Sequence, residues 1–136
     1  MADRCKGCLQ HPYDSVLEFH EAMGIEVGGA PDLPDNERLR KLRLALLREE
    51  FAEYLAAERA NDLVEIADGL ADIIYVAFGT AIAYGIPLDR VFEEVHRSNM
   101  SKLGDDGIPL RREDGKIIKG PNFSPPDIAT ILDGWF

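Results

Sequence analysis

The chain carries two clusters of carboxylates at positions where the pattern of a helix would place apolar side chains. The first cluster is Glu49, Glu50 and Glu53, and the second is Glu65, Asp68 and Asp72. A buried carboxylate destabilises a folded protein unless a cationic group lies beside it. We therefore predict that the two clusters face each other and hold a divalent metal ion between two helices.

The placement of both clusters follows from counting about 100° per residue along two predicted helices. On the first helix, one narrow face holds Leu39, Leu42, Leu46, Glu50, Glu53, Ala57 and Ala60. On the second helix, the corresponding face holds Asn61, Glu65, Asp68, Asp72, Val76, Gly79 and Ala83. A charged face exposed to solvent would lie opposite the leucines rather than among them. The alternative interpretation is that these carboxylates lie at the boundary of the core and pair with Arg43, Arg48 or Arg59.

The carboxylates of both clusters are suited to a hard cation. Glu50 and Glu53 are one helical turn apart, and so are Asp68 and Asp72, so each pair can present its oxygens to one point. Oxygen ligands without histidine favour Mg²⁺, or Mn²⁺, over zinc. Mg²⁺ commonly keeps water ligands that substrate phosphates replace. A carboxylate that is not fully used as a ligand, such as Glu49, could orient an attacking water molecule.

A phosphate-containing substrate would also need cationic and polar side chains. The fourth predicted helix ends in such residues, and further lysines follow it in an otherwise acidic chain. These candidate substrate-binding residues are His96, Arg97, Asn99, Lys102, Lys116 and Lys119. The alternative for Arg97 and Lys102 is that they only stabilise the C-terminal end of the helix. We expect Arg111 and Arg112 to be plain surface charges.

The composition favours a cytoplasmic protein that binds neither nucleic acid nor membranes. The net charge of −10 argues against a partner that carries many phosphates, because such a partner requires a basic surface. The N-terminus lacks the apolar run of a signal peptide, and the most apolar stretch, residues 70–86, contains Asp72 and is short for a bilayer span. Cys5 and Cys8, with His11 nearby, form a lone Cys-x-x-Cys, which is a weak signal for a zinc or redox site.

The remaining pattern predicts an all-α fold, a bundle of four to five helices with a small C-terminal hairpin. The predicted helices run from a cap at Asp14 or Ser15 to Gly24, from a cap at Asp35 or Asn36 to about Ala60, from Asn61-Asp62 to Tyr84, from Leu88 to about Lys102, and through Ile128 and Leu132. The hairpin would pair residues 108–112 with residues 116–119. We expect one domain, residues 1–136, with a loose leader at 1–12 and a turn-rich extension at 104–136.

Three segments together resemble a known family. They are Glu50-Phe-Ala-Glu53, Leu70-Ala-Asp72-Ile-Ile-Tyr75 and His96-Arg-Ser-Asn99-Met-Ser-Lys102. In order and helix placement they are similar to the MazG-like all-α nucleoside triphosphate pyrophosphohydrolases, whose relatives include the dimeric dUTPases and the phosphoribosyl-ATP pyrophosphohydrolases. The resemblance covers about residues 15–130. It implies Mg²⁺-dependent cleavage of a (d)NTP between its α- and β-phosphates, a possible role in removing unwanted nucleotides, and assembly into homodimers or homotetramers.

The resemblance also implies roles for individual residues. Glu50, Glu53 and Asp72 would bind Mg²⁺, and Glu49 would be a ligand or the base that orients water. Asn99 and Lys102 would contact the nucleotide. One departure is that Gly69 stands where the family has a glutamate. We expect Asp68 or Glu65, on the same helical face, to take over from that missing ligand.

Other functions stay open at this point. The substrate could instead be phosphoribosyl-ATP, and the missing glutamate is compatible with a non-catalytic helical regulator. A di-iron bundle would need two Glu-x-x-His motifs, and the chain has only Glu93-Glu-Val-His96. The aromatic residues that could stack on a base are each expected to lie in the core instead; they are Tyr75, Phe78, Phe92 and Phe123.

The third predicted helix also favours self-association. Its apolar residues leave little polar surface: Leu70, Ile73, Ile74, Val76, Phe78 and Ile82. A single chain of this length cannot easily surround such a helix, and soluble monomers avoid large exposed apolar patches. We therefore expect an obligate homo-oligomer, of which a two-fold dimer is the simplest form.

Overall fold

The structure, a computed structural model, describes residues 10–134. Its elements are α1 (Pro12–Met23), α2 (Glu37–Arg59), α3 (Leu63–Ala83), α4 (Leu88–Met100), β1 (Leu110–Arg111), β2 (Ile117–Ile118) and α5 (Ile128–Asp133). The predicted all-α fold with a small hairpin is therefore confirmed. The two strands are antiparallel and pair Leu110 with Ile118 and Arg111 with Ile117.

Asparagine and aspartate side chains cap the start of three of the helices. The Asn36 side chain accepts a hydrogen bond from the Leu39 amide, and Asp62 and Asp127 cap α3 and α5 in the same way. Between α2 and α3 the backbone reverses at Asn61, which has a φ of 54°. The predicted second cap and the predicted interruption are both observed, because Asn and Asp favour these local conformations.

The predicted start of α1 is wrong. The helix begins at Pro12 rather than after Asp14 or Ser15, and the His11 ring accepts the hydrogen bond from the Tyr13 amide. Proline suits the first turn because its fixed φ is helical and its missing N–H would have no partner there. The predicted leader, residues 1–12, therefore overlaps the first residue of α1. Cys5 and Cys8 lie outside the described residues. α4 also ends at Met100, two residues before the predicted end.

The chain divides into two compact units, residues 1–86 and 87–136. In the first unit, α3 packs against both α1 and α2. Its buried apolar residues are Val16 on α1, Ala57 on α2, and Ala81, Ile82 and Ala83 at the end of α3. The loop after α1 returns to this end, where the Gly28 amide donates to the Ile82 carbonyl over 2.8 Å. A Cβ at Gly28 would lie only 2.6 Å from the Gly85 nitrogen, so this close return requires glycine.

The second unit contains α4, the hairpin and α5. Glu94 on α4 accepts hydrogen bonds from the Arg97 guanidinium and from the Asp127 amide, which caps α5. These two donors lower the pKa of Glu94 to about 2. Arg97 also donates to the Pro125 carbonyl, and Ser98 donates to the Ser124 carbonyl. These bonds hold the segment before α5 along α4. The prediction of one domain over residues 1–136 stays a prediction.

The described chain leaves large apolar side chains exposed on α2 and α3. Leu63 and Val64 are 78% and 75% exposed, and Phe51 is 56% exposed. By length and composition α3 could also cross a membrane, but core helices of soluble proteins pass the same test. The prediction that the protein does not bind membranes stays a prediction.

Candidate metal centre

Three of the predicted ligands meet where α2 packs against α3. Glu50 and Glu53 on α2 and Asp72 on α3 each offer a carboxylate oxygen, and these oxygens all lie within 4.8 Å of one another. Glu50 and Asp72 are half-buried, whereas Glu53 is exposed. The helical periodicity that aligned the two clusters in the sequence thus corresponds to a real contact between the helices. We call Glu50, Glu53 and Asp72 the carboxylate triad.

The carboxylate triad is electrostatically unfavourable when all its members are ionised. Burial raises the pKa of Glu50, and the negative charges of Glu53, Asp72 and Asp68 raise it further. The pKa of Asp72 is also raised, first by burial and then by Asp68 and Glu53. Both shifts have the sign expected for carboxylates that lack a cation. A divalent ion would reverse this repulsion.

The alternative interpretation, in which arginines neutralise these carboxylates, is not supported. In the part of the chain from residue 10 to residue 134, the ion pairs are Lys41–Glu37, Arg97–Glu94 and Arg112–Asp114. None of them includes a member of the carboxylate triad. Arg43, one of the three counter-ions that the alternative named, donates instead to the Thr80 hydroxyl and the Val76 carbonyl.

The donor atoms of the triad fit a hard divalent cation. The Glu50 Oε2 atom is buried and has no hydrogen-bond partner among the described residues. A buried polar atom without a partner is rare in folded proteins and requires an explanation. Because the donors are all carboxylate oxygens, Mg²⁺ or Mn²⁺ matches them better than zinc does.

At Gly69, three residues before Asp72, α3 lies in close contact with α2. Gly69 is buried, and a Cβ there would lie 3.2 Å from both the Cα and the Cβ of Tyr54. A side chain at this position would require Tyr54 to shift by a few tenths of an ångström. The glycine that departs from the family pattern therefore lies in close contact with α2.

The other predicted residues of the acidic clusters differ in their relation to the triad. Asp68 is exposed, but its negative charge raises the pKa of both Glu50 and Asp72. Glu65 is exposed in the first turn of α3 and is not among the residues that shift these pKa values. Glu49 is exposed beside Glu50. The roles of all six carboxylates stay predictions.

The predicted substrate-binding residues lie in the second unit. His96, Asn99, Lys116 and Lys119 are exposed, and Lys102 is half-buried. The Arg97 guanidinium is already bonded to Glu94 and Pro125, and the Lys119 Nζ lies 4.7 Å from the centroid of the Phe123 ring. Their contacts with a nucleotide stay predictions.

Two of the four aromatic residues considered for stacking on a base are exposed. Phe92 is 67% exposed within the chain, so its expected place in the core is wrong. Tyr75 is 39% exposed and makes an edge contact with Phe19.

Arg43 bonds α2 to α3, and this role was not predicted from the sequence, where Arg43 was only a possible counter-ion. Arg43 is 6% exposed and is one of the few buried polar residues in the described chain. A signal was available, because Arg43 precedes Glu50 by seven residues and therefore lies on nearly the same helical face. The position of this cation at the start of the acidic face could have indicated that Arg43 faces α3.

Comparisons with known proteins place this geometry in a family. Residues 16–99 match the family model described as phosphoribosyl-ATP pyrophosphohydrolase. Because this match spans more than half of the chain, the chain belongs to that family, which is part of the MazG-like all-α superfamily. The resemblance inferred from the three segments is confirmed. Members of this class hydrolyse phosphoric anhydrides.

Individual relatives match this chain over only part of their own length. An uncharacterized protein of Acanthamoeba polyphaga mimivirus is 32% identical over 125 residues, which is 89% of this chain and 47% of the viral protein. The phosphoribosyl-ATP pyrophosphatase of Bacillus cereus strain AH820 is 33% identical over 64 residues, 46% of this chain and 60% of that protein. The matches thus span less than two thirds of these curated relatives.

One solved structure, of a suggested NTP pyrophosphohydrolase from Exiguobacterium sp. 255-15, is 23% identical to this chain. The match covers 92% of this chain and 93% of that one, with a TM-score of 0.45.

We predict that Glu50→Gln will raise the melting temperature of the metal-free protein. The substitution removes a charge that its neighbours disfavour, and about 1 kcal/mol corresponds to a shift of roughly 2–8 °C in domains near this size. It should also abolish the stabilisation by Mg²⁺, which in the unchanged protein grows with the logarithm of the Mg²⁺ concentration. Differential scanning calorimetry with and without Mg²⁺ measures both effects. Glu49→Gln, an exposed neighbour on the same helix, is the control for the metal-free rise. An unchanged response to Mg²⁺ in Glu50→Gln would refute the assigned ligand.

A second prediction ranks the two replacements for the missing glutamate. Asp68→Asn should weaken Mg²⁺ binding more than Glu65→Gln does, because only Asp68 acts on Glu50 and Asp72. Isothermal titration of both variants with MgCl₂ gives the two affinities. A larger loss in Glu65→Gln would reverse this ranking.

Proposed function

We propose that this protein is a Mg²⁺-dependent nucleoside triphosphate pyrophosphohydrolase. The reaction would cleave a (d)NTP between its α- and β-phosphates and give a nucleoside monophosphate and pyrophosphate. The observation that carries the proposal is the carboxylate triad with its unpartnered Glu50 oxygen, in a chain that belongs to a pyrophosphohydrolase family. A cytoplasmic role in removing unwanted nucleotides is part of the proposal.

The residues of the first unit would hold the metal and prepare the water. Glu50, Glu53 and Asp72 would be the ligands, with Asp68 beside Asp72. The ion, when bound, would neutralise phosphate charge and lower the pKa of a water molecule. Glu49 is exposed next to Glu50 and would accept the proton of the attacking water, a role that requires a carboxylate not occupied as a ligand.

Asn99 and Lys102 are the proposed nucleotide contacts, as the resemblance to the family implies. Asn99 can donate from its amide, and Lys102 supplies a positive charge for phosphate oxygens. Arg97 is a weaker candidate than Lys102, because its guanidinium already binds Glu94 and Pro125. His96, Lys116 and Lys119 would contribute contacts that are open to solvent.

The family model and the Bacillus relative make phosphoribosyl-ATP the second candidate substrate. Its hydrolysis breaks the same type of phosphoric anhydride bond, so the same carboxylates would serve. The base and sugar of the substrate would be decided outside the triad, since carboxylates and a metal recognise phosphates only.

We predict Mg²⁺-dependent release of pyrophosphate from at least one member of a panel of (d)NTPs and phosphoribosyl-ATP. Glu53→Gln should abolish the release, because the ligand set then loses one of its three negative charges. Glu113→Gln, an exposed carboxylate beside the hairpin turn, is the matched control and should retain full activity. Chromatography of the products distinguishes pyrophosphate from phosphate. Failure with every substrate, in protein that binds Mg²⁺, would favour the non-catalytic regulator.

We also propose that the protein is a homo-oligomer through α3. Leu63, Leu70 and Ile74 on its outer face are 78%, 47% and 53% exposed. Their spacing of seven and four residues continues through Ala67 and Ala77 as a heptad pattern, which is typical of helices that pack along each other. A second copy presents the same pattern, so a two-fold pair would cover both surfaces.

For this assembly, we predict a melting temperature that rises with protein concentration, as expected when only the folded state associates. Light scattering should give at least twice the monomer mass of 15.1 kDa. Ile74→Glu should lower that mass, whereas Glu58→Gln, an exposed change on α2, should not. A folded monomer at micromolar concentration would contradict the proposal.

A further inference from the structure

Arg43 is a buried cation that does not pair with an anion. It is 6% exposed, and no carboxylate among residues 10–134 forms an ion pair with it. Its Nε donates to Thr80 Oγ1 over 3.1 Å, and its Nη2 donates to the Val76 carbonyl over 2.9 Å. The Thr80 hydroxyl donates to the same carbonyl over 3.1 Å. Burial of a charged guanidinium destabilises the folded state. The hydrogen bonds that Arg43 makes from α2 to α3 therefore require an explanation.

Space for Arg43 is made by a glycine on α3. A Cβ at Gly79 would overlap the Arg43 Nη2 atom, and it would lie 2.9 Å from His20 Nε2. His20 is itself 2% exposed and is held through Nδ1 by the Glu26 carbonyl, so it cannot easily move away. Gly79 therefore leaves the room that the guanidinium occupies.

The contacts of Arg43 fix how α2 and α3 are aligned along their axes. Arg43 lies opposite Val76 and Thr80, Glu50 lies opposite Asp72, and Tyr54 lies opposite Gly69. These three levels belong to one antiparallel alignment, in which a step forward on α2 is a step back on α3. Seven residues separate Arg43 from Glu50, about 10 Å at roughly 1.5 Å per residue. A slip at Arg43 would therefore move Glu50 away from Asp72.

We propose that Arg43 is a positioning residue, whose hydrogen bonds to Val76 and Thr80 hold α2 and α3 in the alignment that brings Glu50 opposite Asp72. Arginine suits this task because its planar group donates in two fixed directions at once, which a lysine cannot do. This inference rests on the proposed metal site for its effect on catalysis. The alignment itself can be tested without metal or substrate.

The metal-free test is a double-mutant cycle between Arg43→Met and Glu50→Gln. In the unchanged background, Glu50→Gln should raise the melting temperature by relieving repulsion with Asp72. If Arg43 sets the alignment, that gain should fall to less than half in the Arg43→Met background, because the carboxylates no longer meet. Simple loss of attraction between the Arg43 and Glu50 charges would instead enlarge the gain. An equal or larger gain would overturn the proposal.

Two further variants keep the test decisive if Arg43→Met does not fold. Gly79→Ala keeps the positive charge but takes the space of the guanidinium, and it should reduce the gain from Glu50→Gln in the same way. Arg43→Lys keeps the charge without the paired donors, and it should recover only part of the gain. Arg40→Met, an exposed arginine one turn earlier on α2, is the control and should leave the gain unchanged.

A second measurement separates positioning from general stability. Mg²⁺ affinity, titrated at a temperature where circular dichroism shows each variant fully folded, should fall about tenfold in Arg43→Met and Gly79→Ala, as for groups that orient metal ligands. Affinities within twofold of the unchanged protein, with only lower melting temperatures, would show a merely structural role and overturn the proposal. If the unchanged protein does not bind Mg²⁺, the proposed metal function fails, while the metal-free cycle still decides the role of Arg43.

Discussion

The close antiparallel contact between α2 and α3 is the constraint on which the candidate site depends. Small residues such as Ala57, Ala81 and Ala83 form much of the buried apolar surface, and small residues allow helices to approach closely. The same approach brings three carboxylate oxygens within 4.8 Å of one another. Packing that stabilises the fold therefore also forces like charges together, in an arrangement that could hold a cation.

Two glycines on α3 allow this contact, and a different group of α2 occupies the space beside each of them. Gly69 lets α3 approach the backbone of Tyr54, whereas Gly79 admits the side chain of Arg43. Asp72 lies between them. The carboxylate triad is thus bordered on one side by a close backbone approach and on the other by directed hydrogen bonds. Both features limit sliding of the helices, which is the motion that would separate the ligands.

Much of this arrangement could be predicted from the sequence because it depends on local rules. The helical period aligned Glu50 and Glu53 with the leucines, Asn36 was one of two predicted caps of α2, and Asn61-Asp62 marked the break before α3. The start of α1 was predicted incorrectly because proline at Pro12 competed with the later candidates Asp14 and Ser15. The preference of proline for the first turn decided that competition.

The features that could not be predicted depend on which residues of two helices meet. Gly69 looked like a lost ligand in the sequence, but its meaning lies in the 3.2 Å distance to Tyr54. Arg43 was considered only as a possible counter-ion of the acidic clusters, because an arginine is rarely buried without an anionic partner. Only the alignment of α2 with α3 shows that it reaches Val76 and Thr80. Periodicity gives the face on which a residue lies, and it does not give the residue that it faces.

The inner face of α3 carries crowded negative charges, and its outer face carries exposed apolar side chains. Both features destabilise the chain on its own. On the inner face, Asp72 lies among like charges and the Glu50 Oε2 atom lacks a hydrogen-bond partner among the described residues. On the outer face, Leu70 and Ile74 are about half exposed. A cation would relieve the first condition and a second copy of the chain the second. Because ligands that bind only the folded state add to its stability, metal binding and assembly would each stabilise the same helix. The residues that destabilise the chain alone are thus the ones that would bind the cation and the second copy of the chain.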